Sequence, residues 1–169
     1  LGQIKYVLND NQVSKMDNPL LTRTIDVLLF DDVNMLDVAG PVQAFETARI
    51  NGRRKYLVRF ISPDGKAVRA SCGLRLAADG RLSPNAQGND LLVPGGAGID
   101  ALVADERMRD LVRSRAGGGG RMISVCSGAL LLAAAGVLDG IQATTHWSRL
   151  EDTRSYPAVS WDLDRISIS

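Results

Sequence analysis

Residues 121–140, RMISVCSGALLLAAAGVLDG, join a short apolar run to a stretch of small and aliphatic residues, with one cysteine, Cys126, between them. Met122 to Val125 predict a buried strand and Gly128 to Ala135 a helix, so Cys126 falls on a sharp strand-to-helix turn. Such a turn belongs to α/β folds, where a strand hands over directly to a helix and one side chain is presented above the sheet. Two roles are open for this thiol. The free backbone N–H groups and positive end of the following helix favour thiolate over thiol and lower the pKa, which suits a nucleophile. An isolated cysteine in an apolar stretch is equally an ordinary small core residue.

The rest of the chain supports the same architecture. Thr24 to Phe30 (TIDVLLF) form a near-continuous apolar strand, and Pro41 opens a helical pattern through Val42, Ala44, Phe45, Ala48 and Ile50. Lys55 to Ser62 form a second strand, ended by Pro63-Asp64-Gly65, and short strands are expected around Gly73 between Val68 and Leu76. A strand at Asp90 to Val93 leads into Pro94-Gly95-Gly96, followed by a helix from about Asp105 to Arg115. Gly117 to Gly120 lack the Lys and the strand-to-helix context of a phosphate loop and read as a flexible connection. Strands alternating with helices imply a parallel sheet covered on both faces. Residues 1–23 show no periodicity and read as an extension or tail, with Met16 an alternative start, leaving 24–169 as the domain.

At 169 residues the chain makes one domain with a real core. Its 20 Lys and Arg balance 19 Asp and Glu, interspersed as in Asp105 to Arg113, which reads as a solvated helix face and not a nucleic-acid surface. Cys72 and Cys126 are far apart and outside CxxC or CxxH spacing, so neither a zinc site nor a disulfide framework is expected, and a reducing cytoplasm is the natural home. No metal and no cofactor are called for. The longest apolar run, near Ala129 to Leu138, is too short to span a bilayer, and no membrane role is expected.

In a parallel sheet, function gathers at the carboxyl ends of the strands. Three segments meet there: the loop at Asp31 to Gly40, the Pro94-Gly95-Gly96 turn and the Cys126 turn. Gly95 and Gly96 allow close backbone approach and N–H donation to a developing oxyanion. Asp37 is either an acidic partner to Cys126 or a helix-capping loop residue. His146 is the only histidine, so Cys-His chemistry would have to use it, although its neighbour Trp147 also allows a packed structural role. Cys72, in a turn beside Gly73, reads as structural or incidental, and Trp147 and Trp161 read as packing residues.

The motifs SVCSGALLLAAAGVLDG and ATTHW, with LDVAGPVQAFETA, YLVRFISPDGKAVRASCGLRLAAD and LLVPGGAGID, resemble in order the ThiJ/PfpI group of the class I glutamine amidotransferase-like superfamily. The resemblance runs from about Thr24 to the end and implies a flavodoxin-like three-layer α/β sandwich with a nucleophile elbow. Two branches are most similar: the sensor-like domain of GlxA-like AraC-type transcription regulators, which the chain resembles more, and the isocyanide hydratases. The resemblance assigns Cys126 to the elbow cysteine, Asp37 to the acidic partner, Gly95 and Gly96 to the backbone-donor turn, and His146 to the TTH segment near the elbow. Ser127 takes the place of the hydroxyl residue that follows the cysteine in isocyanide hydratases, and stands where the peptidase branch has His, so a peptidase is not implied.

Two anions within a few ångströms disfavour joint ionisation, so a thiolate at Cys126 would raise the Asp37 carboxyl pKa and leave the pair sharing a proton. One resulting expectation is a small-molecule-binding or sensing domain of a regulator, without DNA binding by this chain alone, because no basic recognition helix is present. The other is an isocyanide hydratase using Cys126 as nucleophile and Asp37 as acid and base. Relatives continue past the strand matching Ile166 to Ile168 into another core helix, so the domain reads as truncated, with a sheet face or edge left for a second chain to cover. A homodimer is expected in either case.

Overall fold

The computed structural model describes residues 22–168. The proposed tail and Met16 therefore lie almost wholly outside the described residues. In chain order the elements are β1 (Arg23–Leu28), α1 (Met35–Thr47), β2 (Arg49–Ile50), β3 (Arg53–Arg54), β4 (Tyr56–Ser62), β5 (Val68–Arg69), β6 (Arg75–Leu76), β7 (Gly80–Arg81), β8 (Asp90–Val93), α2 (Ile99–Ala104), α3 (Glu106–Gly117), β9 (Met122–Ser124), α4 (Gly128–Ala134), β10 (Gln142–Ala143) and β11 (Ser160–Trp161). The main sheet has the order β7-β4-β1-β8-β9 and every pairing in it is parallel. Val27 on the central strand stands level with Phe60 on one side and Leu92 on the other.

Side chains alternate between the faces of a strand, so consecutive buried positions mean that both faces are covered. Ile25 to Leu28 and Leu91 to Val93 are all fully buried. The molecule is thus a three-layer α/β sandwich. α1 packs on β4, while α2, α3 and α4 pack on one another, with α4 against β8 and β9. Among the described residues no helix is long and apolar enough to cross a membrane.

One interruption of the apolar run is electrostatic. Asp26, on the central strand, has no exposed surface and is held by Arg59 at 2.7 Å and by Arg115 at 2.9 Å. Arg115, at the end of α3, is itself buried, and its Nε and Nη1 find no partner. Asp90 opens β8 in the same way, bound by Arg23 at 2.8 Å and Arg121 at 2.6 Å, so the amino ends of β1, β8 and β9 are tied together. Burial of Asp90 is outweighed by these arginines and its carboxyl is held below the usual range.

Several boundaries differ from the sequence expectation. α1 starts at Met35 and carries Pro41 inside it, because Asn34 caps the helix by accepting the Leu36 N–H at 3.0 Å. Pro41 therefore lies in the second turn, where it has no N–H to return to the Asp37 carbonyl. The stretch after Gly96 holds two helices: Asp105 ends α2 and caps α3 by accepting the Arg107 N–H at 2.9 Å. Ile166 to Ile168 form no strand. Past β11 the ladder stops after Asp162 donates to Ala143, and the chain is held instead by Thr144 Oγ1 donating to the Arg165 carbonyl at 3.2 Å. β9 is the last strand of the main sheet, yet all three of its residues are buried. The β9 edge is thus covered within the chain.

Candidate functional site

The end of β9 runs straight into α4, and the turn between them is possible only with two unusual backbone positions. Cys126 adopts φ 56°, a left-handed conformation rare for residues with a Cβ. Gly128 follows so close to β8 that a Cβ there would stand 2.1 Å from the Val93 carbonyl oxygen. The strained carbonyl of Cys126 accepts a hydrogen bond from Thr145 Oγ1 at 3.0 Å. Thr145 is fully buried and had no chemical role in the sequence reading. Its only sequence signal was its place beside His146.

The Pro94-Gly95-Gly96 turn follows β8 and lies against this elbow. A Cβ on Gly95 would meet Asp37 Oδ2, Cys126 Cβ and the Ser127 nitrogen, all at 2.8 Å, so glycine is what lets the three residues converge. Gly96, at φ 146°, is bridged to Val33, and the Gly95 carbonyl accepts from the Asn34 N–H at 2.9 Å. Those two contacts fix the start of α1, whose first turn carries Asp37. Thus Asp37, Gly95, Gly96, Cys126 and Ser127 form one constellation at the carboxyl ends of β1, β8 and β9.

The Gly96 N–H donates to Ser127 Oγ at 3.1 Å, and the Gly95 N–H faces the Asp37 carboxyl. In this state neither amide is free for an oxyanion. Ser127 is buried and orders the glycine turn. His146 is half-buried and caps the 3₁₀ turn Trp147–Arg149, its Nδ1 accepting from the Ser148 N–H at 3.2 Å and lying 2.7 Å from Ser148 Oγ. Nδ1 accepts in that cap only in the neutral ring; it is the cationic ring, which gives up that bond, that lowers the Asp37 pKa through its charge. Among the described residues no group of three or more His, Cys, Asp and Glu side chains is arranged to hold a metal ion.

The electrostatics correct the sequence expectation for the thiol. Burial first, and the Asp37 carboxylate second, push Cys126 up to about 11, and the Ser127 N–H that favours the thiolate is outweighed. The Asp37 carboxyl is also raised by burial, while the thiol, the Gly95 N–H and the charge of His146 pull it down. The Asp37 charge thus opposes ionisation of the thiol. Asp37 is buried and its Oδ2 has no hydrogen-bond partner.

A titration consequence follows. A group whose folded-state pKa lies above its ordinary value stabilises the fold below that ordinary value and ceases to do so as pH rises through the folded one. For Cys126 the interval runs from 9.0 to about 11. Denaturant unfolding of Cys126→Ala is expected to lose less stability than the wild type across that interval. Equal losses would mean that the thiol ionises freely.

Three other residues either match the expectation or depart from it. Trp161 is half-buried and donates from Nε1 to the Tyr156 carbonyl at 3.2 Å, as a packing residue should. Trp147 does not pack: it is 74% exposed, touching the His146 ring with centroids 5.2 Å apart. Cys72 is exposed in the turn between β5 and β6.

Comparison with known proteins agrees with this geometry. The chain is 36% identical over 124 residues to isonitrile hydratase of Pseudomonas putida, covering 73% of this chain and 52% of that enzyme. It is 34% identical over 148 residues to the HTH-type transcriptional regulator GbdR of Pseudomonas aeruginosa, covering 86% of this chain and 40% of the regulator. The chain thus spans about half or less of the length of these two relatives. A ThiJ/PfpI family protein from Pseudomonas syringae superposes with a TM-score of 0.73 at 25% identity, covering 83% of this chain and 57% of that structure. Residues 23–162 match the DJ-1/PfpI family model, which spans every element of the site, and the chain belongs to the DJ-1/PfpI family.

Proposed function

We propose that this chain is the small-molecule-sensing domain of an AraC-type transcription regulator, with its ligand held at Asp37, Cys126 and the Gly95-Gly96 turn. One observation carries the reading: beside Cys126 lies a buried Asp37 carboxyl whose Oδ2 has no hydrogen-bond partner. A buried acceptor left unpaired is costly, and a ligand N–H or O–H would satisfy it. A site that keeps its sulfur protonated at neutral pH is suited to binding without standing thiolate chemistry. Similarity to GbdR and to the regulator CdhR of Pseudomonas aeruginosa supports the same branch. Thermal-shift measurements across small polar metabolites are expected to find a compound that raises the wild-type Tm and fails to do so for Asp37→Ala. A compound stabilising both proteins equally would place the binding site elsewhere. The domain is further proposed to act as a homodimer, and a monodisperse monomer in light scattering would exclude that.

The second reading, an isonitrile hydratase, is favoured by the Asp37–Cys126 pair itself. In that reaction the sulfur attacks the terminal isocyanide carbon as Asp37 takes the thiol proton and returns it to the same carbon, giving an N-substituted thioimidate. Water then adds to that carbon and releases the thiol, leaving an N-substituted formamide. Conversion of an isocyanide to its formamide, abolished in Cys126→Ala, is the expected result for this reading; no turnover, or turnover undiminished by the substitution, rejects it.

A further inference from the structure

We infer that Trp147 is a specificity-determining platform at the mouth of the Cys126 site, and that the site takes small uncharged amide-like molecules carrying a flat apolar substituent. The inference rests on the reading that this site binds a small molecule. A tryptophan is among the largest apolar side chains, and leaving one 74% exposed forgoes most of the stabilisation that its burial would give. It lies a short way along the chain from a residue bound to the site. Thr145 is hydrogen-bonded to the Cys126 carbonyl at 3.0 Å, and Trp147 is only two residues further on, so their Cα atoms are no more than about 7.6 Å apart. Between them His146 is near enough to act on Asp37 by charge when its ring is cationic, and touches the indole with ring centroids 5.2 Å apart at 36°. Leu36, next to Asp37 in the chain, is also 51% exposed. Exposed apolar side chains thus stand on two different segments that each carry a residue of the polar centre or its support.

The chemistry of the head group follows from the centre. Asp37 Oδ2 is a buried acceptor awaiting a donor, and a negative charge brought beside it would be repelled. An amide N–H satisfies the first condition and its neutrality the second. The body of the ligand then lies over the indole, where aromatic or aliphatic groups gain by stacking.

The experiment uses Cys126 as its own reporter in a Cys72→Ser protein, so that the other thiol does not react. Alkylation by iodoacetamide and by N-benzyl iodoacetamide is followed by mass spectrometry. In each case sulfur displaces iodide from carbon, a C–S bond replacing the C–I bond, and the thiol proton passes to solvent. The benzyl reagent is expected to react about tenfold faster than the parent. The ratio should fall to near unity in Trp147→Ala and be largely restored in Trp147→Phe, which keeps an aromatic face. A ratio near unity in the parent protein, or one unchanged by Trp147→Ala, overturns the platform while leaving the site reading intact. Dissociation of a dimer by Trp147→Ala would place the indole in a subunit interface and overturn it as well.

Discussion

Replacing Asp26 by alanine is expected to cost about 3–5 kcal/mol of stability, the range found when one member of a buried ion pair is removed. The carboxylate is the charge partner of Arg115, whose side chain is only 1% exposed, and it also accepts from Arg59 and Asn89. Its loss strands a guanidinium in the core with two of its nitrogens already unpaired. Arg115→Met should be much milder. Asp26 would keep Arg59 at 2.7 Å, two buried unsatisfied donors would disappear, and methionine fills much of the same volume. Urea unfolding of the two variants, read from midpoints at unchanged slope, makes the comparison. Equal costs for the two substitutions would show that Arg115 is valuable for its charge and not merely tolerated because Asp26 is there.

Asp37→Asn is expected to raise the reactivity of Cys126 at neutral pH by about tenfold, as removal of a neighbouring like charge lowers the thiol pKa by about one unit. The wild-type thiol is pushed up to about 11 by burial first and by the Asp37 charge second. The variant therefore titrates below the wild type yet above an ordinary cysteine, since the burial is unchanged. Ultraviolet absorbance of the thiolate against pH, in a Cys72→Ser protein, reads both midpoints. The opposite direction would mean that Asp37 serves to ionise the thiol, and the protonated site on which the sensing proposal stands would be lost. The same variant separates the two functional readings. Hydratase turnover depends on Asp37 as the proton carrier and would fall although the thiol had become more reactive.

Much of this site could be read from residues in order. The strand-to-helix junction at Cys126, the glycine turn after β8 and the acidic residue on the first connection are local patterns, each written within a few consecutive positions. The failures also have local causes. The proline at position 41 suggested a helix start because it suits a first turn, but the side chain of Asn34, seven residues earlier, provides a better cap. α2 went unseen because six residues are too few for a periodic signal, and the following Asp105 caps a more obvious helix. Trp147 was expected to pack, since most tryptophans do, and its exposure depends on how the 144–155 segment is laid over the molecule.

The sequence alone determined the alternation of strands and helices, the parallel sheet and which short segments meet above it, because strand period, turn chemistry and element order are local properties. Only the tertiary structure decided the charge state of the site. A helix end beside a cysteine argues for a thiolate, but the depth of burial and the approach of Asp37 are set by segments roughly ninety residues apart in the chain, and desolvation outweighs the helix. For the same reason the roles of Thr145, Ser127 and Trp147 became legible only once the fold had brought their neighbours within reach.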